Sequence, residues 1–380
     1  MKYVLLLSFG MFALGFDAYV IAGLLPGISD TYHKSTSQVG QAVSIFTLFY
    51  AISAPLFSSL LAGKPIKKIL IWSMLIFTLA NSMTALAPTF SILLLSRAIA
   101  GIGAGLFSPL AVAASSKFVS NEKRGRALGL TIGGMSMGTV LGVPLGIYIS
   151  NLFDWKLTLW LLVIIGVISV LCMYIFLPNF PATPPPTLNE RLKLFLDKRV
   201  TITVGITFLA SVASLGLYTY LSPLLEDMAG SGNITIYLWA WGFGGLFGSI
   251  IIGFLIDYFG KPKTLVTIIL FALTLSIICI PLMINLPILK YLPFFIWGAM
   301  GWACQAPQQH ILLSYQPNNG SSAVALNSSV NYLGSALGAS IGGVVLSLQI
   351  GTITLIYFAV ISMSIAICLQ FYSLKGKFSV

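Results

Sequence analysis

The chain has 380 residues, of which 57% are hydrophobic and only 8% charged, with a mean hydropathy of +0.97 and a net charge of +11. Soluble domains carry about 25% charged residues, so no soluble surface can be built from so few. The positive balance invites a nucleic-acid reading, which the placement of the charges argues against.

Apolar runs longer than the ~20 residues that cross ~30 Å of hydrocarbon recur along the whole length. The sequence predicts twelve helices, near 4–27, 39–62, 69–87, 91–116, 127–150, 157–177, 201–225, 233–256, 264–286, 291–313, 322–348 and 352–373. The first run is too long for a cleaved leader and lacks a small-residue cleavage site, so it reads as the first span. Turn chemistry marks the breaks: GKPIKK, APTF, NEKRGR, PNFPATPPP, GSGN and YQPNNGSS. Cys172, Cys279, Cys304 and Cys368 all fall in apolar spans without zinc or redox spacing, so neither disulfide nor metal is expected, nor any cofactor.

With the N-terminus inside, the inner segments hold Lys2; Lys64, Lys67 and Lys68; Lys117, Lys123, Arg124 and Arg126; Arg191, Lys193, Lys198 and Arg199; Lys261 and Lys263; Lys375 and Lys377. The outer loops hold only Lys34, Lys156 and Lys290. This asymmetry places both termini in the cytoplasm and makes the net charge a topology signal. The expected surroundings are a lipid bilayer and a small-molecule substrate, with no nucleic acid and a monomeric chain.

The two halves repeat. Gly138, Gly142 and Gly146 in GTVLGVPLG answer Gly334, Gly338 and Gly342 in GSALGASIG at an offset of 196, and Gly101 answers Gly298 at 197. Six spans in each half share one orientation, the signature of a parallel repeat about an axis along the membrane normal. The expected organisation is a six-helix bundle over 1–177, a cytoplasmic linker over 178–200 and a second bundle over 201–380. PATPPP is a stiff extended segment. LNERLKLFLDKR reads either as a short amphipathic helix on the inner surface or as an untethered polar loop.

Two charges lie deep in hydrocarbon. Asp17, in GFDAYVIAGLLP, is about 20 Å along its helix from Val4, and Arg97 is ~10 Å from the outer end of the fourth span, at a similar depth. A central carboxylate costs roughly 2.5–3.5 kcal/mol on insertion scales, and pairing reduces that cost. Three readings stand. Asp17 binds a coupling proton while Arg97, which cannot deprotonate, is the fixed counter-charge; the two form a static pair that fixes packing; or Asp17 binds a cationic substrate directly.

Polar residues recur on other spans. Thr207, Ser211, Ser214 and Tyr218 form a stripe at helical spacing, Asn327 and Asn331 lie one turn apart, and Gln305, Gln308 and Gln309 face one way. In lipid they must turn inward or toward water, as cavity lining or as interhelical glue worth ~0.6 kcal/mol each. Tyr218, Trp239, Trp241, Trp297 and Trp302 are available to stack on a flat organic molecule or to sit in an interfacial belt. The glycine row Gly134, Gly138, Gly142, Gly146 offers a smooth face for close helix approach, and Pro144 within it invites a bend.

Four stretches carry a resemblance: GFLIDYFGKP (Gly253–Pro262), LLLSRAIAGIGAG (Leu93–Gly105), GTVLGVPLG (Gly138–Gly146) and GFDAYVIAGLLP itself. With the six-plus-six layout, the chain resembles the major facilitator superfamily. It is most similar to the drug:proton antiporter branch with its bacterial purine-efflux, sugar-efflux and chloramphenicol-resistance members. The resemblance implies an all-α integral membrane fold of twelve transmembrane helices in two six-helix bundles, in a bacterial plasma membrane. It implies that Gly253, Asp257, Gly260 and Lys261 form a gating loop. Gly138, Gly142, Pro144 and Gly146 would form the antiporter helix, and spans one, two, four, five, seven, eight, ten and eleven would surround the path. In one respect the chain departs from the pattern: the loop acid of the N-terminal half is Ala62 here, and only Asp257 keeps it.

The leading reading is a proton-coupled exporter of small amphipathic organic molecules or drugs, working by alternating access. The alternative is a dedicated exporter or facilitator of one metabolite such as a purine, sugar or amino-acid derivative. No phosphate loop, metal cluster or nucleophile–base pair marks an enzyme or an ATP-driven pump.

Overall fold

A backbone in hydrocarbon must satisfy its own hydrogen bonds, which leaves helices or closed barrels. The computed structural model is helical throughout and describes residues 1–60, 64–115, 118–119, 124–179, 194–230, 234–316 and 320–375. Among these, ten helices are long and apolar enough to cross a membrane. The helices of the first half are α1 (Lys2–Tyr32), α2 (Thr36–Leu60), α3 (Ile66–Leu86), α4 (Phe90–Ser115), α5 (Arg124–Met137), α6 (Val143–Leu152) and α7 (Trp155–Phe176). Those of the second half are α8 (Lys198–Thr219), α9 (Leu221–Ala229), α10 (Ile234–Phe259), α11 (Pro262–Met283), α12 (Leu292–Ala303), α13 (Gln305–Tyr315), α14 (Gly320–Ser347) and α15 (Ile353–Lys375).

Three predicted spans are not single rods. The fifth is α5 and α6 joined by a π-helical turn, Gly138–Gly142. Pro144 lacks the N–H that would serve the carbonyl of Val140, and the helix opens by one residue just ahead of it. The seventh breaks at Tyr220 into α8 and α9, and the tenth breaks at Cys304 into α12 and α13.

The chain divides into two compact units, 1–187 and 188–380. In the first, α1 packs against α2, α4, α5, α6 and α7, and α3 lies between α4 and α7. In the second, α8 packs against α14 and α15, α10 against α12, and α11 against α12 and α15. Large apolar side chains such as Ile164, Tyr174, Leu275 and Ile361 remain exposed, as surfaces meant for lipid do.

The sequence repeat reappears as repeated contact. Gly138 sits against the carbonyl of Phe12, and Gly334 against the carbonyl of Phe208. Gly101 sits against the carbonyl of Phe46, and Gly298 against that of Trp241. The row Gly134, Gly138, Gly142, Gly146 is laid along α1, meeting Ser8, Phe12, Phe16 and Val20 in turn. Hydrogen bonds lock this seam: Ser8 Oγ donates to Leu130 O at 2.6 Å and Thr139 Oγ1 to Gly15 O at 3.3 Å. A methyl group on Gly138 would strike backbone rather than a movable side chain. Gly138→Ala is expected to destabilise the fold by about 1–3 kcal/mol. Gly133→Ala, at a glycine with no atom within 4 Å of the added carbon, should be neutral or better. Thermal unfolding of both in detergent checks this.

Of the expected linker over 178–200, residues 178–179 and 194–200 are described. Residues 180–193 lie outside the described part. Leu194–Leu196 form a 3-10 turn, and Leu194 is buried with Val200, Val204 and Leu312. Asp197 caps α8, accepting from the Arg199 N–H at 2.9 Å and from its guanidinium at 3.1 and 3.2 Å, and from Gln316 Nε2 at 2.8 Å. Burial pushes the Asp197 carboxyl up, but the hydrogen bonds and charge of Arg199, with Gln316, outweigh it and hold the group below the usual carboxylate range. With a folded value below the unfolded one, the stabilisation is present above the ordinary carboxylate range and is lost as pH falls through the lowered value. Asp197→Ala is expected to cost about 1 kcal/mol at neutral pH. The gap from wild type should close in strongly acidic buffer, as thermal unfolding at the two pH values will show.

Candidate functional site

Asp17 is the sixteenth of the 31 residues of α1, at its midpoint. Its side chain is 0% exposed and Arg97 is 1% exposed. Arg97 Nη1 donates to Asp17 Oδ1 at 2.8 Å. The same nitrogen donates to Asn81 Oδ1 of α3 at 3.2 Å. The guanidinium carbon lies 4.5 Å from the centre of the Phe46 ring of α2, within cation–π range. Four helices therefore converge on one cation.

Local packing explains why the group sits where it does. Gly101, one turn after Arg97, lets α4 approach the backbone of α2 at Phe46. Thr84 and Ser96 share a buried hydroxyl bond of 2.7 Å that fixes α3 against α4 beside Asn81 and Arg97. The charges are incompletely matched: Asp17 Oδ2 and Arg97 Nε are buried without a hydrogen-bond partner among the described residues.

The repeat does not extend to this chemistry. The offsets carry Asp17 to Ala213 and Arg97 to Phe294, both buried and apolar. What the second unit offers instead is a neutral network. Thr207 Oγ1 lies 2.6 Å from Gln308 Oε1 and 2.6 Å from Asn327 Oδ1. A hydroxyl has one proton to give, so one of the two amides turns its oxygen to Thr207 and the other its NH2 group, closing a buried network. Nearby, Ser211 Oγ donates to the carbonyl of Asn331, and Gln305 Nε2 donates to Asn331 Oδ1 at 2.9 Å.

The predicted stripe of Thr207, Ser211, Ser214 and Tyr218 is buried throughout. Trp297 Nε1 donates to Ser214 Oγ at 2.7 Å. Tyr218 lies 4.4 Å, ring centre to ring centre, from Trp241, and Trp241 lies 6.4 Å from Trp297 and from Trp302. These aromatics pack on one another, and Trp239 stacks on Phe243 at 5.0 Å. Of the expected gating loop, Gly260 ends α10 in the left-handed region, with φ 58°, where glycine is favoured, and Lys261 is exposed. Ala62 and the side chains at Gly253 and Asp257 lie outside the described part. No group of metal-binding side chains occurs among the described residues.

Asn81 and Phe46 are the site residues that sequence reasoning passed over. Asn81 had a signal, an amide alone in the apolar run IFTLANSM; Phe46 had none, since it looks like any apolar residue of its span.

Residues 7–339 match the family model described as Major Facilitator Superfamily. The chain is 28% identical over 351 residues to the uncharacterized MFS-type transporter YbcL of Bacillus subtilis (strain 168), covering 90% of this chain and 88% of the relative. It is 29% identical over 342 residues to YfhI of the same organism, also an uncharacterized MFS-type transporter, covering 88% and 85%. It is 28% identical over 380 residues to the inner membrane transport protein YdhP of Escherichia coli (strain K12), covering 98% and 96%.

Proposed function

The chain belongs to the major facilitator superfamily, and from that premise we propose that it is a proton-coupled exporter of small amphipathic organic molecules, working by alternating access in a bacterial plasma membrane with both termini inside. The observation that carries this reading is the half-satisfied Asp17–Arg97 pair. Oδ1 is held by Arg97, while Oδ2 is buried and free of any partner among the described residues. A proton arriving at Oδ2 leaves Oδ1 facing Arg97 as a neutral and weaker acceptor. Loading and unloading the site then changes its charge by one without dismantling the helix packing. Ala213 and Phe294 stand at the equivalent positions of the second unit, which does not repeat the pair.

The neutral stripe supports an uncharged or weakly cationic substrate over a polyanion, with Thr207, Ser211, Ser214, Tyr218, Gln305, Gln308, Asn327 and Asn331 as its contacts. Gly253, Asp257, Gly260 and Lys261 would gate the inner end. The seam of Gly138, Gly142, Pro144 and Gly146 on α1 would keep the proton site tight while its π turn supplies compliance. One observation favours the narrower alternative, a dedicated exporter of one metabolite. The amides of Gln308 and Asn327, buried beside Thr207, offer hydrogen bonds to a ligand such as a purine or a sugar, and fixed polar partners discriminate sharply.

Inside-out vesicles energised with a proton gradient test the proposal. Ethidium, chloramphenicol and adenine would be offered in turn. Uptake that needs the gradient, and that drives protons out when the compound is added, supports coupling. Uptake of several chemotypes favours breadth, and of adenine alone the dedicated exporter. Movement indifferent to the gradient would make the protein a facilitator.

A further inference from the structure

The same guanidinium nitrogen serves two acceptors, and they are not alike. Asp17 Oδ1 is charged at 2.8 Å; Asn81 Oδ1 is neutral at 3.2 Å. Asn81 is 0% exposed, and its Nδ2 is anchored to the carbonyl of Phe77 at 3.0 Å. An amide held by its nitrogen presents its oxygen in a fixed direction, and that direction is toward Arg97. Asn81 also sits on α3, which Thr84 ties to α4 through Ser96. These two ties hold Asn81 within α3 and hold α3 to α4, the helix that carries Arg97.

We propose that Asn81 is a positioning residue that retains Arg97 when Asp17 is neutral: the guanidinium leans from the carboxylate onto the Asn81 oxygen, with the Phe46 ring covering its face. The inference rests on the reading above, in which Asp17 exchanges the proton. Without Asn81, a neutral Asp17 would leave a buried cation with only a weak oxygen and a ring. Protonation of Asp17 is thereby made harder. With an aspartate at 81, two carboxylates would share one cation, and the first proton would bind more readily.

The other charged groups on α1, on α3 and on the elements packed against them lie near helix ends, Lys67 and Lys68 at the start of α3 among them. Lys2 and Asp30 are near the ends of α1, and α2 and α4 carry no further formal charge. Arg124 and Arg126 lie at the start of α5, Lys156 at the start of α7, and Tyr148 and Tyr174 are exposed on α6 and α7. Cys172, also on α7, is a thiol. Tyr3 and Tyr32 lie near the ends of α1, Tyr19 is on α1, and Tyr50 on α2 has its ring 6.1 Å from that of Phe46.

The test needs no known substrate. Full-length protein in lipid is titrated by infrared difference spectroscopy, following the carbonyl stretch of a protonated carboxyl, with Asp17→Asn to assign the Asp17 band. Asn81→Leu is expected to move the pH at which that band appears downward by about one unit, and Asn81→Asp to move the first carboxyl band upward. Asn81→Asp is nearly isosteric and remains informative where Asn81→Leu does not fold. If both variants titrate as wild type, or both move the same way, Asn81 is only helix packing and the inference is overturned while the proton-carrying role of Asp17 stands. If wild type shows no band that Asp17→Asn removes, the underlying reading falls, and this inference with it.

Discussion

Asp17→Asn is expected to reduce gradient-driven uptake to the level of empty vesicles while the protein still inserts and folds. The amide keeps the shape of the side chain and an oxygen for Arg97 Nη1, so the bond at 2.8 Å has a neutral replacement. What it removes is the titratable oxygen, Oδ2, which has no structural partner among the described residues to lose. A purely structural role predicts damage in proportion to lost packing, which asparagine barely changes. Uptake should be measured beside membrane abundance and downhill exchange without a gradient. Loss of gradient-driven uptake with retained exchange identifies a coupling residue. Equal retention of both would sink the proposal that Asp17 carries the proton.

Removing the cation should hurt stability most. Arg97→Met leaves Asp17 buried beside Asn81 and Phe46 with no counter-charge. Breaking one side of a buried pair costs about 3–5 kcal/mol while the other charge remains without water or partner, a loss that proton uptake by Asp17 relieves as the pH falls. Asp17→Asn/Arg97→Met is expected to recover most of that loss, since replacing both members of a buried pair by neutral groups is often neutral or stabilising. The double variant should still fail to couple. Thermal unfolding of the two single variants and the double one isolates the interaction, because the residues touch and their effects will not add. Additive losses would mean that the pair contributes nothing as a pair and that each residue acts through its own packing.

Asp17 and Arg97 were legible from depth as candidates to pair, since hydrocarbon makes a lone charge expensive and only two charges lay at that level; that they touch required the fold. Asn81 was not, because an amide in a span serves as glue as readily as it serves a site, and nothing in the run around it says which way it turns. The polar stripe of α8 was legible as a stripe through its helical period, but not as a network closed by Gln308, Asn327 and Trp297, residues about 100 positions away in the chain. The glycine row was legible as a close-packing face; that its partner is α1, in the same unit, required the fold.

The membrane class, the positions of the helices and the two-fold repeat were set by the sequence by itself. Each follows from a local or periodic rule: apolar length against bilayer thickness, turn residues at the breaks, and glycines recurring at one offset. The tertiary structure alone decided where helices interrupt themselves without a sequence signal, as at Tyr220 and at Cys304. It also decided which half of the repeat keeps a charge and which oxygen of Asp17 is left open. Those depend on contacts between residues far apart in the chain, where a single hydrogen bond selects one of several arrangements that the local pattern allows equally.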